Sequence, residues 1–251
     1  MISFIVPVFN RVELISKTIQ SILDRSKSYQ GAFEIIIIDD CSSDDILEKL
    51  ISLEKAYSTD VIKYHRNLNN YGVNYSRNLG ISKANGDWVV LLDSDDLLEV
   101  ELTVLSQLLS TNKSYLYFFN CVNSQGDILH DSFNREVFYC DYVNSKFNGE
   151  ALFVFKKDVF DFFRFDSNSR SYEGIVFARM LRHYGSAIFF GSVIGRKYNT
   201  SHGFRLSQGV QLAKRRNEIK SGHLLFLLEN QAEMTFINKL KYMLRYLKNI
   251  L

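Results

Sequence analysis

Five consecutive apolar residues, Trp88-Val89-Val90-Leu91-Leu92, run without a break into Asp93-Ser94-Asp95-Asp96. The run is too short for an ordinary helix and has no polar alternation, so it predicts a strand buried on both faces. Three carboxylates within four residues then stand at its C-terminal end, which is where open α/β sheets bind ligands. Clustered like charges need a cation or hydrogen-bond donors beside them. A divalent metal with hard oxygen ligands, itself holding phosphates, meets that need. Asp95 and Asp96 are also suited to capping a helix that starts near Leu97.

The segments upstream follow the same plan. Ile2-Ser3-Phe4-Ile5-Val6 predicts a strand, stopped by Pro7, the only proline in the chain. Asn10 then caps a helix with Leu14, Ile15, Thr18, Ile19, Ile22 and Leu23 on one face. Phe33 to Ile38 predicts a second buried strand ending in Asp39-Asp40, with Ser42 or Ser43 capping a helix that runs to Tyr57. Val61 to His65 predicts a third strand, and a helix from Val73 to Ala84 returns the chain to the Trp88 strand. Alternation of this kind implies βαβ units and a parallel sheet with helices on both faces. The second and fourth strands both end in adjacent carboxylates, so two acidic clusters share one crevice.

No G-x-G-x-x-G follows the first strand and no G-x-x-x-x-G-K-[ST] occurs, which argues against a dinucleotide fold, a P-loop and a sugar-phosphate nucleotidyltransferase. At 251 residues the chain has room for one large α/β domain or a domain with an appendage. Its net charge of +2 does not suggest a nucleic-acid partner. Cys41, Cys121 and Cys140 have no metal-like spacing and read as free thiols of a reducing compartment. With no signal peptide apparent and no apolar run of membrane-span length, the expectation is cytoplasmic.

Beyond the Trp88 strand, residues 114–155 read as strands and turns forming a small antiparallel appendage, with a helix starting near Lys156. A helix over Tyr172–Tyr184, a strand at Ala187–Phe190, a polar loop from Asn199 to Gln208 and a helical remainder complete the chain. Charge is uneven, with eight Lys or Arg against three Glu from Lys214 onward. Ile237, Leu240, Met243, Leu244, Leu247, Ile250 and Leu251 recur at steps of three or four between Lys239, Lys241, Arg245 and Lys248, the pattern of a basic amphipathic helix. Such a helix either lies peripherally on anionic lipid or packs on its own domain or on a second subunit, as in a homodimer.

Four segments together resemble an inverting family 2 glycosyltransferase of the GT-A fold. They are Val6-Pro7-Val8-Phe9-Asn10, Ile38-Asp39-Asp40-Cys41-Ser42-Ser43-Asp44, Gly72 with Ser76-Arg77-Asn78-Leu79-Gly80, and Asn85 through Asp96. The resemblance implies a catalytic domain over 1–207, with a nucleotide-binding half at 1–96 and an acceptor half at 97–207, followed by a helical extension at 208–251. It implies a nucleotide-sugar donor, most often carrying UDP, and a saccharide or polyprenyl-diphosphate-linked acceptor in cell-surface polysaccharide synthesis. Asp40 would accept hydrogen bonds from the base, while Asp39 and the Pro7-Val8-Phe9 turn lie against base and ribose. Arg77 would reach the nucleotide, and Ser94 sits beside it in the Asp-x-Asp element. Asp95 would bind Mn²⁺ or Mg²⁺ directly, with Asp93 serving the ribose or the metal's water shell. His202 and Arg205, in a loop resembling the segment that closes over the diphosphate, would touch phosphate oxygens or metal.

An attacking sugar hydroxyl needs a general base. Inverting members of the family place an acidic pair at a helix start, with an Arg six residues after its second member. In Tyr172-Glu173-Gly174-Ile175-Val176-Phe177-Ala178-Arg179 two registers are open. Counting back from Arg179 makes Glu173 the base; taking Glu173 as first of the pair puts Gly174 where the base belongs. The second register leaves a different class of function, an inactive GT-A domain that binds nucleotide or a protein partner.

Overall fold

A computed structural model describes residues 1–57, 60–147, 150–167, 173–198 and 216–248. Its centre is one mixed sheet in the order β3-β2-β1-β4-β8-β6-β9-β5, with β7 also paired to β9. The strands are β1 (Ile2–Val8), β2 (Phe33–Asp39), β3 (Ile62–Arg66), β4 (Trp88–Leu91), β5 (Leu97–Leu98), β6 (Leu116–Val122), β7 (Arg135–Phe138), β8 (Leu152–Lys156) and β9 (Ser186–Lys197). The first four are parallel, in the order the βαβ alternation requires. Right of β4 the sheet continues through β8, antiparallel to both β4 and β6. The antiparallel strands therefore extend the main sheet.

Eight helices flank it among the described residues: α1 (Val12–Arg25), α2 (Ile46–Tyr57), α3 (Val73–Lys83), α4 (Leu102–Thr111), α5 (Tyr139–Val143), α6 (Gly174–Tyr184), α7 (Arg216–Asn230) and α8 (Phe236–Lys248). The strand period of two decides which residues face which layer. Phe4, Val6, Ile35, Ile37 and Val90 pack with Ile15, Ile19 and Ile22 of α1 and Leu102, Leu105 and Leu109 of α4. Ile5, Ile36, Ile38, Val89 and Leu91 pack on the other face with Ile81 of α3 and Val176, Phe177 and Met180 of α6. Every one of these strand residues is buried, which is why the runs read as unbroken.

Several local expectations change. Pro7 lies inside β1, opposite Ile38, and does not end it. Ile5 O accepts from Leu92 N while Val8 O accepts from Asp40 N, so the nitrogen of Pro7 faces the β4 side. There the pairing stops at Ile5↔Leu91, and a missing N–H costs nothing. Asp96 caps no helix at Leu97, because a two-residue strand comes first and α4 starts at Leu102. The segment after Lys156 is a single 3-10 turn, Lys157–Asp161. β8, whose aromatic run was not singled out in the sequence, fills the centre of the sheet.

Candidate active site

The site lies at the C-terminal ends of β1, β2 and β4. The loops there are tied to one another by the polar residues of the recurring motifs. Asn10, in the left-handed region at φ 51°, accepts from Ser43 N at 2.7 Å through Oδ1, while its own N–H donates to Ser42 Oγ at 2.9 Å. Val12 N donates to Asp44 Oδ2 at 2.9 Å. Neither Asn10 nor the serines cap helices; they lock the β1–α1 loop to the β2–α2 loop. Asp45 instead accepts from Glu48 N at the start of α2.

Asp39 and Asp40 are both buried. Asp39 accepts from Ser42 N at 2.8 Å and from the Tyr64 hydroxyl at 2.6 Å, with Arg66 at 3.3 Å. Burial, then Asp39, pushes the Tyr64 phenol up to about 12. Asp40 accepts from Asn67 Nδ2, Tyr71 N and Gly72 N at 2.8, 2.9 and 2.7 Å, so it shapes the loop entering α3. Gly72 adopts φ 92° there, a conformation that favours glycine. Gly80 lets α3 lie on the sheet, since a Cβ would come within 2.5 Å of Ile5. Pro7 and Val8 are buried in β1, and Phe9 is 36% exposed at its end.

Around Asp93-Ser94-Asp95-Asp96 each carboxylate meets an arginine from a different element. Arg11, from the β1–α1 loop, pairs with Asp95 at 2.8 Å. Arg77, from α3, pairs with Asp93 at 2.8 Å. Arg196, from β9, pairs with Asp96 at 2.7 Å and also reaches Glu150. Ser94 is buried in the turn that Asp96 N closes by donating to Asp93 O. Burial disfavours the ionised Asp93, but Arg77, Arg196 and Arg11 outweigh it and hold its carboxyl below the usual carboxylate range. Of the three positive charges only Arg77 was marked, by its motif; Arg11 and Arg196 had no signal in the sequence, because they come from distant positions.

Glu173 stands at the start of α6 and its Oε2 accepts from Arg77 Nη1 at 3.0 Å. One guanidinium thus joins the end of β4 to the start of α6, with both carboxylates 38% exposed toward the crevice. Arg77 itself is buried, and its Nε has no acceptor among the described residues. α3 also holds Phe165: Asn78 brackets its backbone, accepting from its N–H and donating to its carbonyl. Arg179 is turned away from the crevice, in a two-pronged pair with Glu229 of α7. His202 and Arg205 lie outside the described residues.

A parallel βαβ half extended by antiparallel strands, with acidic strand ends facing an acidic helix start, is an arrangement of the GT-A type. The family model described as "Glycosyl transferase family 2" matches residues 3–169, and the chain belongs to that family. It is similar to a "GalNAc(5)-diNAcBac-PP-undecaprenol beta-1,3-glucosyltransferase" of Campylobacter jejuni, with 34% identity over 191 residues that make up 72% of this chain and 60% of that protein. A "Poly(ribitol-phosphate) beta-glucosyltransferase" of Bacillus spizizenii is 34% identical over 100 residues, 40% of this chain and 16% of the relative. The chain therefore spans less than two thirds of the length of these relatives. The crystal structure of S. aureus TarS 1-349 in complex with UDP-GlcNAc shares the fold, with a TM-score of 0.72 at 16% identity over 99% of this chain and 72% of that one. No helix among the described residues is long and apolar enough to cross a membrane.

Proposed function

We propose that the protein transfers a sugar from a nucleotide-sugar, a UDP-sugar in the first instance, to a hydroxyl of a saccharide or lipid-linked saccharide, inverting the anomeric centre. The observation that carries this reading is the Arg77 bridge, which puts the Asp-x-Asp strand end and Glu173 on opposite sides of one cation. Residues 1–96 would hold the nucleotide and 97–207 the acceptor. The relatives' names support a glucosyl donor and an undecaprenol-linked or polyol-phosphate acceptor as first candidates.

The donor's base and ribose would lie against Pro7, Val8, Phe9, Asp39 and Asp40, with Arg77 and Ser94 toward the nucleotide and Asp93 serving the ribose or the metal's water shell. His202 and Arg205 remain candidates for the diphosphate itself. Asp95 and Asp93 suit Mn²⁺ or Mg²⁺: they offer hard oxygens at the crevice, and such ions are often held by one or two carboxylates plus substrate phosphates. When bound, the ion would neutralise the charge of the departing nucleoside diphosphate.

Glu173 would accept the proton of the acceptor hydroxyl as that oxygen bonds to the anomeric carbon and the bond to the diphosphate breaks. Arg77 orients Glu173 and keeps its carboxylate beside a cation. We take the register counted from Arg179, which makes Glu173 the base; its pairing with Arg77 beside Asp93 supports that choice over the inactive-domain alternative. The test is turnover of UDP-sugars with Mn²⁺ and a lipid-linked saccharide, wild type against Glu173→Gln. Unchanged turnover in Glu173→Gln would remove Glu173 as the base, and no turnover of any nucleotide-sugar by the wild type would favour the binding module. A lipid-linked acceptor also brings the enzyme to a membrane surface, where it would work from the cytoplasmic side.

A further inference from the structure

We propose that α8 is an interfacial helix that lays its outward apolar face into an anionic phospholipid surface. The contact is independent of the catalytic reading, but its use, holding the acceptor side of the crevice near lipid, rests on Glu173 being the base.

The face that α8 packs inward is not its most apolar one. Tyr242 is buried and its ring stacks on Phe226 of α7 at 4.8 Å, while Asn238 Nδ2 donates to Asn144 O at 3.0 Å. At 100° per residue these lie on one side with Tyr246. On the opposite side Phe236, Ile237, Leu240, Met243, Leu244 and Leu247 are 78, 76, 40, 45, 55 and 44% exposed. A helix that served only to cover its own domain would turn those six side chains inward. Exposed apolar patches of this continuity mark interaction sites.

Charge selects the occupant. Residues 236–248 contain four Lys or Arg and no Asp or Glu. Lys241 lies along one edge of the apolar face and Lys239 along the other, the arrangement of helices that rest in a headgroup layer, while Arg245 lies nearer the inward side, over the Tyr242 ring. A second copy pairing through the same face would bring the flanking Lys239 and Lys241 of two helices together, with no acid on either helix to meet them. With four Lys or Arg among residues 236–248, the helix is too charged to be buried in hydrocarbon and lies in the plane of the surface.

The placement of α8 ties the contact to the site. α7, on which α8 packs, is clamped to α6 by Glu229 and Arg179, and α6 begins at Glu173. Lipid under α8 is thus linked through α7 and α6 to the element that carries Glu173.

The test is flotation of the full chain with vesicles of phosphatidylglycerol and phosphatidylcholine, against phosphatidylcholine alone. The wild type is expected to float with the anionic vesicles and to be released by salt. Ile237→Ser/Leu240→Ser/Leu244→Ser should lower the partition at least tenfold. Lys239→Gln/Lys241→Gln/Arg245→Gln should lower it on anionic vesicles by about fivefold per charge, the equivalent of about 1 kcal/mol each. Both variants should keep the wild-type circular dichroism spectrum and UDP affinity. The proposal fails if the wild type does not float, or if the triple Ser variant floats as well as the wild type. It also fails if light scattering shows a wild-type dimer that the Ser variant converts to monomer, since the face would then belong to a second copy. Flotation without any UDP affinity would instead undo the catalytic reading alone.

Discussion

The Arg77 guanidinium donates to the Glu173 carboxylate across 3.0 Å, joining two residues 96 positions apart in the chain. Its other amino group holds Asp93 at 2.8 Å, so a single side chain sets the relative position of two acids proposed for opposite ends of the reaction. Arg77→Met should leave both carboxylates without their cation. Because each is 38% exposed, the stability loss should stay near 1–2 kcal/mol, below the ~3–5 kcal/mol of a fully buried pair. Turnover should fall much further than stability does. Parallel thermal melts and UDP-sugar kinetics separate the two effects, and an Arg77→Met enzyme with near-normal kcat removes Arg77 from the machinery.

Glu173→Gln keeps the shape of the side chain and one acceptor for Arg77 but removes the base. A loss of about 10²–10⁴ in kcat with unchanged UDP affinity is expected. Equal losses in both would indicate that Glu173 acts by holding Arg77 in place.

Arg11 occupies the carboxylate that a divalent cation would use. Asp95→Asn should abolish Mn²⁺-dependent UDP binding, whereas Arg11→Ala should tighten Mn²⁺ binding in the absence of nucleotide by freeing Asp95. Titration calorimetry with Mn²⁺ alone and then with UDP reads both. If Asp95→Asn retains the wild-type metal requirement, Asp95 is no ligand.

The Arg196–Asp96 pair is the most enclosed in the site, with side chains 5% and 1% exposed. Arg196→Met alone strands a buried Asp96 and should cost about 3–5 kcal/mol. Adding Asp96→Leu should recover most of that loss, since an apolar replacement of a buried pair is often neutral. Chemical denaturation of the single and double variants decides, and no recovery in the double variant would mean that the pair contributes more than mutual neutralisation.

Glu34 makes the acid limb of stability legible. It is buried between Ser3 Oγ at 2.6 Å, Asn85 N at 2.6 Å and Lys63 Nζ at 2.5 Å. Burial raises its carboxyl, but Lys63, Ser3 and Asn85 outweigh burial and leave it below its ordinary value. A carboxyl depressed in the fold stabilises fully above its unfolded value of about 4.3, and that contribution drains away as pH falls through the folded value. Melting temperature should therefore drop below about pH 4.3, and Glu34→Gln should flatten that drop while lowering stability at pH 7.

The sequence by itself determined the parallel half of the fold. Ile35 to Ile38 and Val89 to Leu92 are buried on both faces, so every side chain had to be apolar and the strands wrote themselves as unbroken runs. It also located the acidic strand ends, since clustered carboxylates have few structural uses. Motif resemblance, more than periodicity, supplied Arg77 and Glu173. β8 went unread because its place between β4 and β6 is fixed by pairing with strands far away in the chain. Asn10, Ser42 and Ser43 looked like helix caps because their polar groups suit that use locally, while in the fold the same groups join two loops 32 and 33 residues apart.

Only the tertiary structure decided what neutralises Asp93, Asp95 and Asp96. Three carboxylates within four residues announce that a cation is needed, and among 30 Lys and Arg nothing marks Arg11 or Arg196 as the ones that will serve, nor Arg77 as the partner of Asp93. Ion pairs form by proximity in space, and Arg11, Arg77 and Arg196 reach the strand end only after β1, α3 and β9 have taken their places in the fold.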